Sequence, residues 1–142
     1  MLINYIKIKK IITNKRGGGT LIPIEYNKLP FKIKRTYILN KMSKNICRTG
    51  HAHKKLSQII FCLSGKIRIF LSNGHGVKNK KYLIMSPKTD AIYLKPGLWR
   101  ELKNLHKKTV VMVLASDNYK ENDYIRNYQE FLNYKKKRFL CK

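Results

Sequence analysis

His51 and His53, with one alanine between them in Arg-Thr-Gly-His-Ala-His, are the residues of this 142-residue chain whose type and spacing point most directly to chemistry. On a strand, residues i and i+2 face the same way, so both imidazoles share one environment. Such a pair can ligate a metal, move protons or serve as scaffolding. Two imidazoles alone make a poor site for Zn²⁺ or Fe²⁺, which generally take three or more protein ligands. Gln58 is a neutral and weaker donor than a carboxylate. An imidazole without metal has an ordinary pKa near ~6.5, and it both takes and gives protons close to neutral pH. Proton transfer without metal or other cofactor is therefore the sharper expectation. His75 and His106 lie in turn-like polar stretches and read as bystanders.

The strand before the pair carries further candidates. In Phe-Lys-Ile-Lys-Arg-Thr-Tyr-Ile-Leu (31–39), Phe31, Ile33, Arg35, Tyr37 and Leu39 share one parity. Alternation thus points Arg35 and Tyr37 inward with the apolar residues. A buried arginine needs an anion, and this chain has few carboxylates. A diphosphate held by the guanidinium fork would supply one, and pairing with Glu25 or Glu101 is the alternative. Arg48 has the opposite parity to His51, so only a bend or bulge would bring it inward. Trp99 follows the Pro96-Gly97 turn, where its ring serves either as a stacking wall for a base or as packing at a barrel mouth.

The elements that must position these groups are short and β-rich. About eight apolar segments, at residues 4–12, 21–26, 31–39, 56–65, 66–72, 82–86, 90–95 and 109–116, alternate with Gly-, Asn- and Pro-bearing turns. This spacing predicts an all-β barrel or sandwich. Only residues 122–139 read as a helix, with Tyr124, Tyr128 and Phe131 on one stripe and Asp123 near its start. The basic run Lys135 to Arg138 reads as a solvated, partly frayed tail, which leaves residues 1–134 as one domain and 135–142 as tail.

Composition narrows the partners. The net charge is +25, from 32 Lys and Arg against 7 Asp and Glu, and predicts attraction to anions. Lys, Ile, Asn and Tyr are abundant throughout, so part of this charge reflects compositional bias, and no nucleic-acid-binding motif accompanies it. Three cysteines without a Cys-x-x-Cys pair fit reduced thiols in a cytosol. The lysine-interrupted start lacks the apolar core of a signal peptide, and no segment approaches the ~20 apolar residues of a membrane span. A soluble, cytoplasmic protein is expected.

His51-x-His53 followed by Gln58 and Gly65 resembles the first motif of the cupins, with Gln58 standing where glutamate is usual. Leu-Lys-Pro-Gly-Leu-Trp-Arg-Glu-Leu (94–102) corresponds to the second motif but supplies no histidine. The blocks at 16–25, 29–39, 48–58, 90–102 and 113–131 together resemble the nucleotide-sugar 3,4-ketoisomerases. The resemblance implies a jelly-roll (double-stranded β-helix) barrel with a short C-terminal helix. It also implies a metal-independent bacterial cytoplasmic enzyme acting on dTDP-4-keto-6-deoxyglucose, in the synthesis of 3-amino-3,6-dideoxysugars for surface glycans. The family's homodimer exchanges N-terminal strands. Carried over by position, His51, His53, Tyr37 and Arg48 are the catalytic candidates, and Arg16, Arg35, Gln58 and Trp99 the substrate-binding ones. Thr49 is a departure, since the family usually has glycine directly after this arginine. A cupin epimerase and a basic, non-enzymatic binding module are the competing readings.

Overall fold

The computed structural model describes residues 4–6, 11–13, 17–76 and 79–140. Strand β1 (Asn4–Ile6) lies at one edge of a five-stranded antiparallel sheet. Its neighbours, in order, are β9 (Ala91–Leu94), β6 (Gln58–Ser64), β11 (Val110–Ala115) and β4 (Arg35–Leu39). The second five-stranded sheet runs β12 (Tyr124–Ile125), β5 (Cys47–His53), β10 (Trp99–Asn104), β7 (Ile67–Ser72) and β8 (Lys80–Met85). A small hairpin pairs β2 (Ile11–Thr13) with β3 (Gly19–Leu21), and one helix, α1 (Tyr128–Leu140), closes the described chain. The all-β jelly-roll expectation holds.

Apolar layers cover both faces of the first sheet. Between the sheets, Ile60, Ile92 and Val111 of one sheet meet Ile67, Ile69 and Leu71 of the other. Outside the first sheet, Ile59, Phe61 and Leu114 are covered by Ile24, Leu29, Phe31 and Ile33. Burial of β6 on both faces explains why its sequence is apolar almost without alternation. Each fully buried Leu or Ile contributes about 1.5–3 kcal/mol relative to exposure. Gly65, at φ +72° in the β6–β7 turn, has no substitute, because a Cβ there would lie 2.6 Å from Thr109 Cα.

Several expectations need correction. Residues 21–26 are not a strand: β3 ends at Leu21, and Tyr26–Lys28 form a 3₁₀ turn. Pro23 in this stretch has no N–H to offer a ladder. Conversely β5, β10 and β12 are strands that apolar patterning did not reveal, since their inner positions are largely polar. The helix begins at Tyr128, where Asn127 Oδ1 accepts the backbone N–H groups of Gln129 and Glu130 as an N-cap. Tyr124 therefore belongs to a strand and not to the helical stripe. Helix α1 continues through Lys135 to Arg138, with Lys136, Lys137 and Arg138 exposed, so the basic run is solvated as expected but helical. Among the described residues, no helix is long and apolar enough to cross a membrane.

Candidate active site

A cavity of about 360 Å³ opens between the sheets. Arg35, Tyr37 and Leu39 line it from β4, in keeping with the alternation read from the sequence. Gln58 and Ile60 contribute from β6, and Arg100 and Leu102 from β10. Tyr119, Tyr124 and Arg126 close the remaining side.

Strand β5 supplies both Arg48 and His51, which simple alternation forbids. The ladder explains how. Arg100 pairs with His51 and Leu102 with Arg48, so three steps on β5 face two on β10. This bulge at Thr49-Gly50 inverts the pleat and turns Arg48 toward the cavity. Gly50 is required there for a second reason: a Cβ would stand 2.5 Å from the Trp99 ring. The Thr49-Gly50 departure noted in the sequence thus coincides with the device that brings the two residues to one wall.

The histidines occupy different places. Their rings are perpendicular at 5.0 Å, as same-face placement requires, and Tyr124 packs against both, 5.2 Å from His51 and 4.3 Å from His53. His51 lines the cavity, whereas His53 is fully buried behind it. His53 Nδ1 lies 3.1 Å from Asp123 Oδ2, and Asp123 also accepts the backbone N–H groups of Lys55 and Leu56. Burial first, then Arg100 and His51, hold His53 down to about 2. The contact with Asp123 is accordingly a neutral N–H donating to a carboxylate, which puts the proton on Nδ1. Burial and then Arg100 likewise hold His51 at about 4, so at neutral pH its imidazole is a free base.

Tyr37 and Gln58 act as a unit. Gln58, 2% exposed, donates its amide to Tyr37 Oη at 3.0 Å. The phenol's own proton is then available to the cavity. Burial, followed by Tyr124, raises the Tyr37 pKa and keeps that proton in place.

Charge in the site is unbalanced. Among the described residues, four arginines and no carboxylate line the cavity. Arg126 is bound by Glu121 through two hydrogen bonds and stacks over Tyr124 at 4.2 Å. Arg35 pairs with neither alternative partner: Glu25 is bound by Lys28, and Glu101 accepts Trp99 Nε1 at 2.8 Å. Arg35 Nε and all three guanidinium nitrogens of Arg100 are buried without a hydrogen bond. Among the described residues, no three of His, Cys, Asp and Glu gather closely enough to hold a metal ion.

Trp99 requires correction. Its ring, 3% exposed, packs with Ala52, Ile125 and Phe131 beneath α1, outside the cavity. The apolar face of the helix needs a large partner, and Trp99 on the outer side of β10 provides it. Arg16 lies outside the described residues. His75 and His106 take no part in the cavity lining. The sequence reading missed Arg100, Tyr119, Tyr124, Arg126 and the Asp123 partner of His53. Arg100 was detectable, because Leu98, Arg100 and Leu102 share a parity just as Arg35 shares one with Ile33 and Tyr37. Tyr124 and Asp123 were hidden by the helical reading of their segment.

Comparison with known proteins is consistent with this geometry. The family model FdtA, described as WxcM-like, C-terminal, matches residues 2–136. The TDP-4-oxo-6-deoxy-alpha-D-glucose-3,4-oxoisomerase of Aneurinibacillus thermoaerophilus is 39% identical over 130 residues, spanning 91% of this chain and 89% of that protein. A mutant of the 3,4-ketoisomerase QdtA from Thermoanaerobacterium thermosaccharolyticum, in complex with TDP-4-keto-6-deoxyglucose, superimposes with a TM-score of 0.86 at 38% identity, covering 99% of both chains. The WlaRB TDP-quinovose 3,4-ketoisomerase of Campylobacter jejuni gives 0.82 at 36% identity, covering 92% of this chain and 97% of its own.

Proposed function

The chain belongs to the FdtA family, and from that premise we propose that it is a nucleotide-sugar 3,4-ketoisomerase converting dTDP-4-keto-6-deoxyglucose into a dTDP-3-keto-6-deoxyhexose. The observation that carries the mechanism is the division between the two histidines. His51 is a neutral base on the cavity wall, and His53 is enclosed behind it.

Moving the ketone requires removal of the C3 proton, acidified by the C4 carbonyl, and delivery of a proton to C4. His51 takes the first and returns the second, acting on one face of the sugar. This differs from a division of the two steps between His51 and His53, because His53 presents no surface to a substrate. Tyr37, oriented by Gln58, donates its hydroxyl to a sugar oxygen. Arg48 and Arg126, both exposed on the lining, suit the diphosphate, with Arg35 deeper. Tyr119, 57% exposed beside Tyr124, supplies the aromatic surface that Trp99 does not. The enzyme works in the cytoplasm as a homodimer in which β1, here paired with β9 of its own chain, is exchanged between copies. Its product feeds amination at C3 for surface glycans.

Proton NMR of the protein with dTDP-4-keto-6-deoxyglucose in D₂O, with chelator present, tests this reading. A 3-keto sugar is expected, with part of the C3 proton recovered at C4 because one base serves both carbons. Deuterium exchange without carbonyl migration would indicate an epimerase, and an unchanged spectrum would refute this substrate.

A further inference from the structure

The two ends of the barrel carry different charge. Four connections leave one end: 40–46 between β4 and β5, 65–66 between β6 and β7, 86–90 between β8 and β9, and 105–109 between β10 and β11. The registers place them together, since Leu39 pairs with Val111, Ser64 with Val110, and Ile67 with both Asn104 and Met85. They present Lys41, Lys44, Lys66, Lys88, Lys107 and Lys108, all exposed, against a single carboxylate, Asp90. None of these lysines has an ion-pair partner among the described residues. At the opposite end, where Arg35 pairs with Ala115, charges are matched: Asp117 binds Lys34 and Lys120, and Glu121 binds Arg126.

The unmatched lysines stand on a tied frame. Asn104, fully buried, donates its amide to the carbonyls of Met42 and Ser43 at 3.0 Å, and its backbone bonds Asn45 and Ile46. Thr109, 1% exposed, accepts the Lys66 N–H and donates to the His106 carbonyl. Just inside the turns, the register row Lys103, Arg68 and Ile84 crosses the outer face of the second sheet. Aliphatic side chains flank that row in water: Ile46 is 48% exposed and Ile84 51%.

A cationic surface with protruding aliphatic groups fits one kind of partner best. We propose that this end of the barrel docks on an anionic membrane surface, its lysines against lipid headgroups and Ile46 and Ile84 in the boundary with the acyl chains. Lysine is a compact point charge suited to a diffuse layer of headgroups, whereas recognition of discrete phosphates favours the arginine fork. The four turns contain no Phe, Tyr or Trp to stack nucleic-acid bases between the lysines. Tyr82, exposed two residues from Ile84 on the same face of β8, is a residue type enriched where water meets lipid. Burying apolar groups while neutralising lysines adds two attractions that neither supplies alone. Tyr119 and Arg126 follow Ala115 at the other end, so docking leaves that side of the cavity open. The inference does not depend on the reaction assigned above.

Co-sedimentation of the full chain with vesicles of equimolar phosphatidylglycerol and phosphatidylcholine, and with phosphatidylcholine alone, tests the proposal. Binding is expected only to the anionic vesicles and should be lost at ~0.5 M salt, which screens exposed charges. Lys44→Gln/Lys107→Gln/Lys108→Gln should weaken partitioning at least about tenfold. Lys95→Gln/Lys136→Gln/Lys137→Gln removes the same charge from elsewhere on the surface and should change partitioning less than about threefold. Ile46→Ser should weaken it about threefold or more at constant charge. Turnover should be unchanged in all three variants, because none of these residues lines the cavity. No binding to the anionic vesicles, equal loss in the two triple variants, or an unaffected Ile46→Ser would overturn the proposal. Binding to polyuridylate with both kinds of vesicle ignored would overturn it in favour of a nucleic-acid surface.

Discussion

The space between the sheets has two unlike ends. At one, Ile67, Leu71, Leu94 and Val111 are fully buried among apolar neighbours. At the other, His53 and Arg100 are also buried and Arg35 is half-buried, yet each carries a buried nitrogen that bonds to nothing among the described residues. The change happens within single strands: β4 runs from Arg35 and Tyr37 to Leu39, and β6 from Gln58 to Ile60 and Cys62. Burial alone therefore does not mark the stabilising part of the molecule. The apolar end supplies the free energy of folding, and the polar end draws on it to keep charged and basic groups dry.

The sharpest way to separate the two ends is His51→Asn. It keeps a polar side chain but removes the base, and kcat should fall about 100- to 10,000-fold with the folded structure intact by circular dichroism. Wild-type turnover would assign the chemistry elsewhere. Leu71→Ala is the counterpart at the apolar end. It should cost about 2–5 kcal/mol in urea unfolding while leaving kcat per folded molecule unchanged.

Acid should expose the cost of the polar end. His51 is held near 4 in the folded protein against an unfolded value of ~6.5. Between these values the unfolded chain binds more protons, so stability rises with pH through this window and is lost as pH falls through it. The expected loss is roughly 2–3 kcal/mol by pH 4, seen as a falling denaturation midpoint, with no further gain from this group above pH ~6.5. His53, held lower still, acts in the same direction. A flat profile from pH 4 to 7 would remove the assignment of neutral, buried imidazoles.

Asp123→Asn tests the enclosed histidine. The amide would donate to His53 Nδ1 and force the proton to Nε2, and kcat should drop about tenfold through a misplaced ring. Nitrogen-15 shifts of His53 would report the tautomer, and unchanged shifts would show that Asp123 does not set it. The smallest effect is expected at Trp99→Phe. Loss of the hydrogen bond to Glu101 should cost about 1 kcal/mol, with KM for the nucleotide sugar unaltered. A large rise in KM would return Trp99 to the substrate site.

Much of this contrast was legible in the sequence, for identifiable reasons. Strand alternation is local, so it put Arg35 and Tyr37 on the inner face and His51 beside His53. The same rule applied to Leu98, Arg100 and Leu102 would have found Arg100. The segment 94–102 carries no histidine to mark it as part of a site. Strands β5 and β10 carry no clear apolar alternation because polar side chains occupy many of their cavity-facing positions. The local sequence suggests a helix start at Asp123, yet its carboxylate is used by His53, Lys55 and Leu56, some 70 residues earlier in the chain. Only folding brings those groups together.

The sequence by itself determined the all-β architecture, the inward row of β4 and the pairing of two imidazoles on one strand, because each depends on spacing along the chain. Tertiary structure decided which histidine meets the cavity, whether Arg48 turns inward, and that Trp99 lies under the helix. Those outcomes depend on a one-residue bulge between β5 and β10 and on what packs against each sheet's outer face, and both come from residues distant in sequence.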